Sequence, residues 1–331
     1  MSNMQMPQAF ESLKDYFVDA PQPILTKETI QVVLMREALD YTIFRTEETG
    51  EINKVLTPVS IQKADEQMER VAFLASKQKA VESRELAQVL RTAAPRQGVN
   101  IHPCWLKDHL CLQCPRCVLY GGTNASSAFK DMRNAANIKH RIAYSTAFSL
   151  ADYHEVQEAI TFNAVSNQDM KTGQALGTRN VVKPATLFPS IVSLQSVTWK
   201  EFLLALKAVL GAHRYGAESR IGGDMRNTVF GIVAGWEEII TPLELTLELY
   251  DRQGRGVTPE TVVKLLKEYK NSAAHKGKVK VLSAAEVEGL VEAVGDFELS
   301  EAFIKSTYEA AEAYRQAQDQ ETKPRPKKSG A

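Results

Sequence analysis

Apolar and polar positions alternate most clearly in the part of the chain that runs from Glu155 to Trp236. Apolar residues occupy every second position of Glu155–Val165 except Glu158, which is typical of a strand with one buried and one wet face. A second strand is predicted at Thr186–Gln195. Its Pro189 cannot donate to a ladder and therefore indicates an edge or a strand start. A further strand is predicted at Thr228–Trp236.

A helix is predicted between the last two of these strands. Thr198 and Glu201 form a capping box, and Gly211 stands where a left-handed residue commonly ends a helix. The resulting ββαβ order is half of a ferredoxin-like fold. Residues 166–183, SNQDMKTGQALGTRNVVK, lie where a simple hairpin turn would suffice. Because so long a connection is usually functional or disordered, we expect a functional basic loop.

Patterning elsewhere predicts further elements with loops between them. The predicted elements are a short helix at Ala9–Phe17, strands at both ends of Thr29–Arg45 with Met35–Leu39 less strand-like, a turn region at Glu47–Pro58, a helical stretch at Lys63–Arg91, a basic strand at Asn137–Tyr144, a strand at Glu238–Tyr250, and helices at Thr258–Tyr269, Ser283–Val294 and Glu298–Gln320. Residues 322–331 hold four bases, two prolines and no acid, so we expect a disordered tail.

Charge is balanced overall but segregated along the chain. The 331 residues contain 40 Lys and Arg against 40 Asp and Glu. Residues 166–227 hold eight bases against four acids, residues 104–147 hold six against two, and residues 244–321 hold ten against fifteen. Such segregation favours a basic face for nucleic acid, the alternative being an ordinary solvated surface. No apolar run approaches ~18 residues, so we expect no membrane contact and a cytoplasmic protein.

All four cysteines lie within residues 104–117: Cys104, Cys111, Cys114 and Cys117. Without a secretion signal, such a cluster favours a metal site over disulfides. Four thiolates leave no open position, so we expect a structural zinc. His102 and His109 are possible substitute ligands. An iron–sulfur cluster is the alternative, although the ferredoxin-type continuation of the motif is absent.

The loop between the predicted helix and the last strand is basic and carries Gly222–Gly223. It contains neither a P-loop nor a Rossmann turn, and the last strand lacks the full aromatic RRM signature. Backbone N–H groups of the two glycines are predicted to bind a phosphate, with Arg214, Arg220 and Arg226 supplying charge. The alternative is a plain helix-to-strand turn. We therefore expect contacts to an RNA backbone rather than base stacking on the sheet.

Several motifs in this order resemble one family of RNA-binding proteins. They are NIKHRIAYSTAFSL, CPRCVLYG, VKPATLF and RYGAESRIGGDMRN, together with the ββαβ module. Between about Ile30 and Tyr250, the chain resembles the RAMP superfamily and, within it, the backbone subunit of type I-D CRISPR surveillance complexes. The resemblance implies an α+β fold with an antiparallel, RRM-like (ferredoxin-like) palm and inserted zinc-binding, thumb and helical elements.

On this basis the chain divides into segments with distinct expected roles. They are a leader at 1–28, a palm at 29–250 interrupted by a helical insertion at 47–99, a zinc-binding element at 100–122 and a thumb-like hairpin loop at 166–183, a helical region at 251–321, and the tail at 322–331.

The family implies a protein that binds CRISPR RNA and is not an enzyme. Copies would line the guide, each thumb crossing it, and present it to target DNA or target RNA within a complex with other subunits. The expected RNA-binding residues are Arg36, Arg45, Lys139, Arg141, Lys171, Arg179, Asn180, Arg214, Arg220, Gly222, Gly223, Arg226 and Asn227. Arg36 and Arg45 are expected on the wet face of the first strand.

Two other functions are compatible with the sequence. A RAMP-type ribonuclease would use His140, His213 and Tyr215 as acid and base, or Asp40 to cut target RNA, although Asp40 is predicted within a strand. A zinc-ribbon DNA-binding factor would use the cysteine element as its reader.

Overall fold

The computed structural model of the chain describes residues 5–45, 51–105, 109–123, 137–165, 168–218, 221–252 and 256–321. It is a mixed α/β fold built on antiparallel sheets. The strands are β1 Thr29–Ala38, β2 Lys54–Pro58, β3 Gln67–Phe73, β4 Gly122–Thr123, β5 Asn137–Ile138, β6 Ile142–Tyr144, β7 Ala147–Phe148, β8 Gln157–Val165, β9 Thr172–Val182, β10 Leu187–Gln195, β11 Met225–Gly235 and β12 Lys280–Val281. The helices are α1 Ala75–Arg96, α2 Pro115–Tyr120, α3 Tyr153–Val156, α4 Trp199–Gly211, α5 Pro242–Arg252, α6 Pro259–Ser272, α7 Ala284–Asp296 and α8 Glu301–Glu321, preceded by a 3-10 helix at Gln8–Tyr16.

Strand β1 lies at the centre of the main sheet, whose order is β12-β11-β1-β10-β6. It pairs antiparallel with β10 and with β11, so that Val32 is opposite Val192 on one side and Ile232 on the other. The predicted strand at Glu155–Val165 does not join this sheet. Its residues 157–165 form β8, which pairs with β9 in a separate two-stranded ribbon.

Both faces of the main sheet are covered by helices. Ile30, Val32 and Leu34 of β1 belong to a core with α4 and α7, while Val33 and Met35 face a second core with α5 and α6. The prediction that one face of β1 is exposed to solvent is therefore wrong. Since every residue of β1 except Glu37 is buried, Met35–Ala38 also continues the strand rather than interrupting it.

Helix α4 begins as predicted. The Thr198 hydroxyl accepts a hydrogen bond from the Glu201 amide at 3.2 Å, and the Glu201 carboxylate accepts one from the Thr198 amide at 3.0 Å. This is the reciprocal arrangement of a capping box. The helix ends at Gly211, but the C-cap Ala212 has φ −80°, so the expected left-handed stop is absent.

Two segments take a different secondary structure from the predicted one. Residues 238–250, expected as a strand, contain helix α5, which starts at a second capping box made by Thr241 and Glu244. Residues 63–73, expected as helix, contain β3 and belong to a small sheet of order β2-β3-β7. Val71 and Phe73 enter a core in which Phe73 stacks on Phe44 at 4.4 Å. Tertiary packing therefore decides the structure of this charged segment.

The remaining helices and the N-terminal segment cover the main sheet. Phe10 and Leu13 of the 3-10 helix are buried in the core on the α4 side. The predicted helices near Thr258, Ser283 and Glu298 are confirmed as α6, α7 and α8, whereas the predicted basic strand at Asn137–Tyr144 is split into β5 and β6. Among the described residues, no helix is long and apolar enough to span a membrane. The expected disordered tail lies outside the described residues.

Candidate nucleic-acid interface and metal centre

The ribbon β8–β9 lies beside the segment that follows β1 and the glycine-bearing loop 213–224. Residues 172–182, expected as loop, form strand β9, which pairs with β8 from Gln157 opposite Val182. Val182 and Thr42 exchange backbone hydrogen bonds of 2.7 and 3.0 Å. The Ala217 amide donates to the Ile43 carbonyl at 3.0 Å, and Ile43, Val181 and Ile221 share a small apolar cluster. The two basic stretches singled out by sequence thus meet at one place.

The loop 213–224 is folded back on itself by close backbone contact between two glycines. Gly216 donates to the Gly222 carbonyl at 3.2 Å. Gly223 has φ +62°, and a Cβ there would lie 2.6 Å from the Gly216 nitrogen. Because only glycine adopts this conformation without strain and fits this space, the glycines are required by the loop's own packing. The phosphate nest predicted from Gly222–Gly223 stays a prediction.

Acidic residues pair with the cations around this loop. Arg45 and Arg179 both bind the Glu218 carboxylate, Arg179 through its Nε at 3.2 Å. Arg214 Nε lies 3.4 Å from Asp224, yet its side chain is 79% exposed. Exposed pairs of this kind are weak. An incoming phosphate would therefore have to displace these carboxylates from the arginines. Because the pairs are weak, this displacement would cost the fold little stability.

Four other predicted residues are distributed around the surface. Arg226 is exposed and pairs with Glu37 of β1, and Asn180 donates from Nδ2 to Glu51 at 2.8 Å. Lys171 is exposed just before β9, whereas Lys139 is exposed between β5 and β6, close to the cysteine element rather than to the ribbon. Arg220 lies outside the described residues.

Three of the predicted RNA-binding residues lie inside the protein. Arg36 is fully buried and pairs with Glu82 at 2.7 Å. Arg141 is buried and binds Glu201 and the Ser196 carbonyl, the latter at 2.8 Å. Asn227 is buried and accepts a hydrogen bond from Arg36 at 2.8 Å. The expectation that Arg36 faces solvent is wrong, because β1 is covered on both faces.

The groups considered for acid–base catalysis are not assembled into one site. The Tyr215 hydroxyl is buried and donates to Glu82 at 2.9 Å. His213 is exposed and contacts the Met225 carbonyl through Nδ1 at 3.3 Å. His140 is exposed between β5 and β6, and burial, followed by the charges of Lys79 and Lys139, lowers its pKa. Asp40 lies in an exposed bend after β1 rather than in the predicted strand.

The four cysteines form one cluster beside helices α1 and α2. Cys114 precedes the first residue of α2, Pro115, and Cys117 is buried in its first turn. The Sγ atom of Cys104 lies 3.5 Å from that of Cys117 and 3.8 Å from that of Cys114. All four sulfur atoms lie within 4.8 Å of one another. These separations are far longer than the ~2 Å of a disulfide bond.

The arrangement fits a tetrahedral metal ion. With metal–sulfur distances of about 2.3 Å, the edges of an S₄ tetrahedron measure about 3.8 Å, in line with the separations seen here. Within the described part of the chain, the metal-binding group consists of the four cysteines alone, and the His109 ring stacks on Trp105 instead. Mutual hydrogen bonds lower the pKa of Cys104 but raise those of Cys111 and Cys114, so it is the geometry of the four sulfur atoms that supports a metal site.

Comparison with known proteins identifies the family. Residues 15–308 match the family model described as Csc2 Crispr. The chain belongs to the Csc2 CRISPR family.

The fold is similar to that of two solved structures. The crystal structure of Thermofilum pendens Csc2 is 20% identical, with a TM-score of 0.66 over 98% of this chain and 99% of that one. A chain of a structure described as a CRISPR RNA-guided surveillance complex, pre-nicking, is 13% identical, with a TM-score of 0.50 over 86% of this chain and 99% of that one. At these identities the likeness concerns the fold alone. No curated protein matches the chain significantly.

Sequence reasoning missed the acids that organise the site. Glu82 binds Arg36, Tyr144 and Tyr215 in the interior, and Glu218 joins Arg45 to Arg179. Glu82 lies in a charged, Ala-rich stretch, and nothing in its spacing distinguishes it from the partly exposed Glu85 about one turn later. Only the packing of α1 against the sheet reveals its role.

Proposed function

We propose that the chain is a CRISPR RNA-binding backbone subunit of a type I-D effector complex, which holds the guide for pairing with target nucleic acid. The observation that carries this proposal is the match of residues 15–308 to the Csc2 family model. The meeting of the ribbon, the segment after β1 and the loop 213–224 supports it, because it brings Arg45, Arg179 and Arg214 to one place, where they would meet the phosphates of an RNA backbone.

The proposed palm is the main sheet with its two helices. When the inserted elements are left out, the chain order is β1-α1-β6-β10-α4-β11, and the sheet order of these strands is β11-β1-β10-β6. The β-α-β-β-α-β order of ferredoxin-like and RRM-like units is the same, which supports the proposed palm. Since α5 and α6 cover the face that an RRM uses for stacking, we propose that the RNA lies along the edge of this palm and contacts the ribbon.

The ribbon β8–β9 is the proposed thumb. Its cations are Lys171 and Arg179, and Arg214 and Arg226 lie on the loop and on β11. Charge-assisted bonds from these side chains to phosphates are the proposed RNA contacts, with Arg45, Asn180, Arg220, Gly222, Gly223 and Lys139 as further candidates. Arg36, Arg141 and Asn227 hold the palm together from inside.

The cysteine cluster is proposed to bind a structural zinc ion. Four thiolates would complete its coordination and leave no position for a reactive water. The ion would fix α2 against α1 and α8. We propose no catalytic step, since Tyr215 is committed to the interior and the described histidines do not converge on it.

Several copies on one RNA would make modest individual contacts sufficient, since each site adds to the same assembly. A chain with 40 bases and 40 acids would also avoid the repulsion that neighbouring, strongly basic subunits experience. Other subunits and target DNA or RNA are the remaining proposed partners, in the cytoplasm.

Purification from cells that express a CRISPR array tests the proposal. Sequencing of the bound RNA is expected to recover uncut, spacer-containing guides that nuclease treatment protects in regular steps. Heterogeneous RNA would contradict guide binding. Trimmed RNA that becomes intact in the Asp40→Ala or His140→Ala variant would favour the ribonuclease. Binding of duplex DNA without RNA would favour a zinc-ribbon factor.

A further inference from the structure

A groove separate from the ribbon runs between helix α1 and the cysteine element. Arg84, Gln88 and Arg91 line it on the α1 side, and Trp105, Leu110 and Arg116 line it on the other side. Its volume is about 150 Å³, several times the ≈30 Å³ that a water molecule takes in the liquid. None of its lining residues carries a carboxylate, and three of them are arginines, so its charged side chains are positive apart from Cys104, which belongs to the metal site.

The three arginines are held in different ways. Arg116 is buried, and its Nε donates to the Ser83 hydroxyl at 2.7 Å. Arg91 donates to the Cys104 carbonyl, which ties α1 to the cysteine element. Arg84 is exposed and has neither a hydrogen bond nor an ion pair with any residue in the described ranges. A cation left free beside two anchored ones is suited to an anionic ligand.

Neighbouring groups add to the positive potential. Lys79 of α1 lies close enough to Arg116 for the two charges to interact: burial, followed by the charge of Arg116, lowers the pKa of Lys79. The exposed Lys139, which precedes β6, lies close to the same lysine, because both charges act on His140. A zinc ion with four thiolates would carry a net charge of −2. The Arg116 Nη1, at 3.9 Å from the Cys117 sulfur, would offset part of it, whereas Arg84 and Arg91 lie on the opposite side of the groove.

An aromatic platform completes the groove. The Trp105 and His109 rings stack in parallel, with centroids 4.4 Å apart and an interplanar angle of 7°. Trp105 is nevertheless 48% exposed. Exposed aromatic rings beside basic grooves are the surfaces on which single-stranded nucleic acids stack their bases.

We propose that this groove binds a segment of single-stranded nucleic acid, with its phosphates on Arg84 and Arg91 and a base on Trp105. The groove shares no element with the ribbon and the loop 213–224. It would therefore contact a second strand or a second segment, beyond the guide contacts proposed above. An acidic peptide would satisfy the arginines, but it would leave the flat Trp105 ring without a matching partner.

Photocrosslinking with labelled single strands of about 12 nucleotides, within the usual site size, tests this groove directly. One probe is oligouridine RNA and the other is oligothymidine DNA, each carrying a single iodouracil. The full chain is used with its zinc content measured, after saturation with unlabelled guide RNA. Mass spectrometry of the crosslinked peptide is expected to identify Trp105, and the better probe shows whether RNA or DNA is preferred.

Matched variants separate the groove from a general effect of charge. Arg84→Glu is expected to weaken binding of the better probe by about tenfold, and Trp105→Ala to remove the crosslink, while Trp105→Phe keeps most of the binding. Lys264→Ala, an exposed change on α6, is expected to have no effect. Because Arg84 has no hydrogen bond or ion pair with any other described residue, its replacement is expected to leave the zinc content and the melting temperature unchanged.

Other results would overturn the proposal. Crosslinks confined to the ribbon or to residues 213–224, or equal affinities for wild type and Arg84→Glu, would exclude the groove. Binding of an acidic peptide that Arg84→Glu weakens, with no Arg84-dependent binding of either probe, would identify a protein partner instead. If the chain binds no guide RNA, the same measurements without guide still test the groove, so failure of the proposed function is distinguishable from failure of this inference.

Discussion

Arg36 of β1 and Glu82 of α1 form a fully buried ion pair, with Nη1 and Oε1 2.7 Å apart. The Glu82 carboxylate also accepts hydrogen bonds from the Tyr144 hydroxyl at 2.6 Å and from the Tyr215 hydroxyl at 2.9 Å. Asn227 is part of the same group of contacts, because it accepts a hydrogen bond from Arg36. Burial is the largest single effect and lowers the pKa of Arg36, but the charge of Glu82, together with those of Tyr215 and Tyr144, raises it overall. One carboxylate thus connects the sheet, α1 and the glycine-bearing loop.

Replacement of Glu82 by Gln is expected to destabilise the protein strongly. The Arg36 charge would remain buried without a counter-charge, which costs about 3–5 kcal/mol in the free energy of unfolding. Urea denaturation measures the change. Glu85→Gln on the same helix serves as the control and should change stability by less than ~0.5 kcal/mol. The double variant Arg36→Met with Glu82→Leu should be more stable than Glu82→Gln, and a lower stability of the double variant would contradict this account.

Stability is also expected to fall in alkali. Burial, followed by the Glu82 charge, raises the pKa values of Tyr144 and Tyr215 well above the usual value of about 10. A raised pKa contributes stability that is fully present below pH ~10 and is lost as the pH rises through the folded value. Each such tyrosine should remove up to ~1.4 kcal/mol per pH unit above 10. Unfolding measured at pH 8 and 11 checks this, and Tyr144→Phe should show a smaller loss.

The sequence contained local signals for some parts of the fold but not for the contacts between distant segments. The capping box of Thr198 and Glu201 and the cysteine spacing were sufficient to predict α4 and a metal-binding cluster. The capping box of Thr241 and Glu244 carries the same signal for α5, in a segment whose composition predicts a strand. No spacing rule indicates that Arg36 meets Glu82. Local patterns therefore predicted elements, while burial of a charged pair depends on the packing of β1 against α1.

Removal of the metal is expected to loosen the cysteine element. The zinc content should be about one ion per chain, and either chelation or Cys117→Ser should lower the melting temperature, since structural zinc binding contributes directly to folding. Metal analysis and thermal denaturation measure both effects. Ser76→Ala, an exposed change at the start of α1, is the control. A protein prepared without chelators that contains no zinc would refute the assignment.

Replacement of Gly223 by Ala is expected to disrupt the glycine-bearing loop. A left-handed φ of +62° and a Cβ 2.6 Å from the Gly216 nitrogen should together cost at least ~2 kcal/mol and weaken RNA binding. Gly289→Ala on α7 is the matched control. Its Cβ meets open space, so this change should keep or increase stability by up to ~1 kcal/mol. Equal unfolding free energies for the two variants would contradict the requirement for glycine at 223.

The exposed cation Arg214 provides the most direct test of the RNA surface beside the ribbon. Arg214→Ala should weaken guide RNA binding by about 1 kcal/mol, roughly fivefold, and reduce the slope of log affinity against log salt by about 0.7, the value for one phosphate contact on a single strand. Asp224→Asn should instead strengthen guide RNA binding, because it removes the negative charge of a carboxylate that lies 3.4 Å from Arg214 and competes with the phosphate. Anisotropy titrations at several salt concentrations measure both, with Lys264→Ala on α6 as the control. Unchanged affinity and slope in Arg214→Ala would place the RNA elsewhere on the protein.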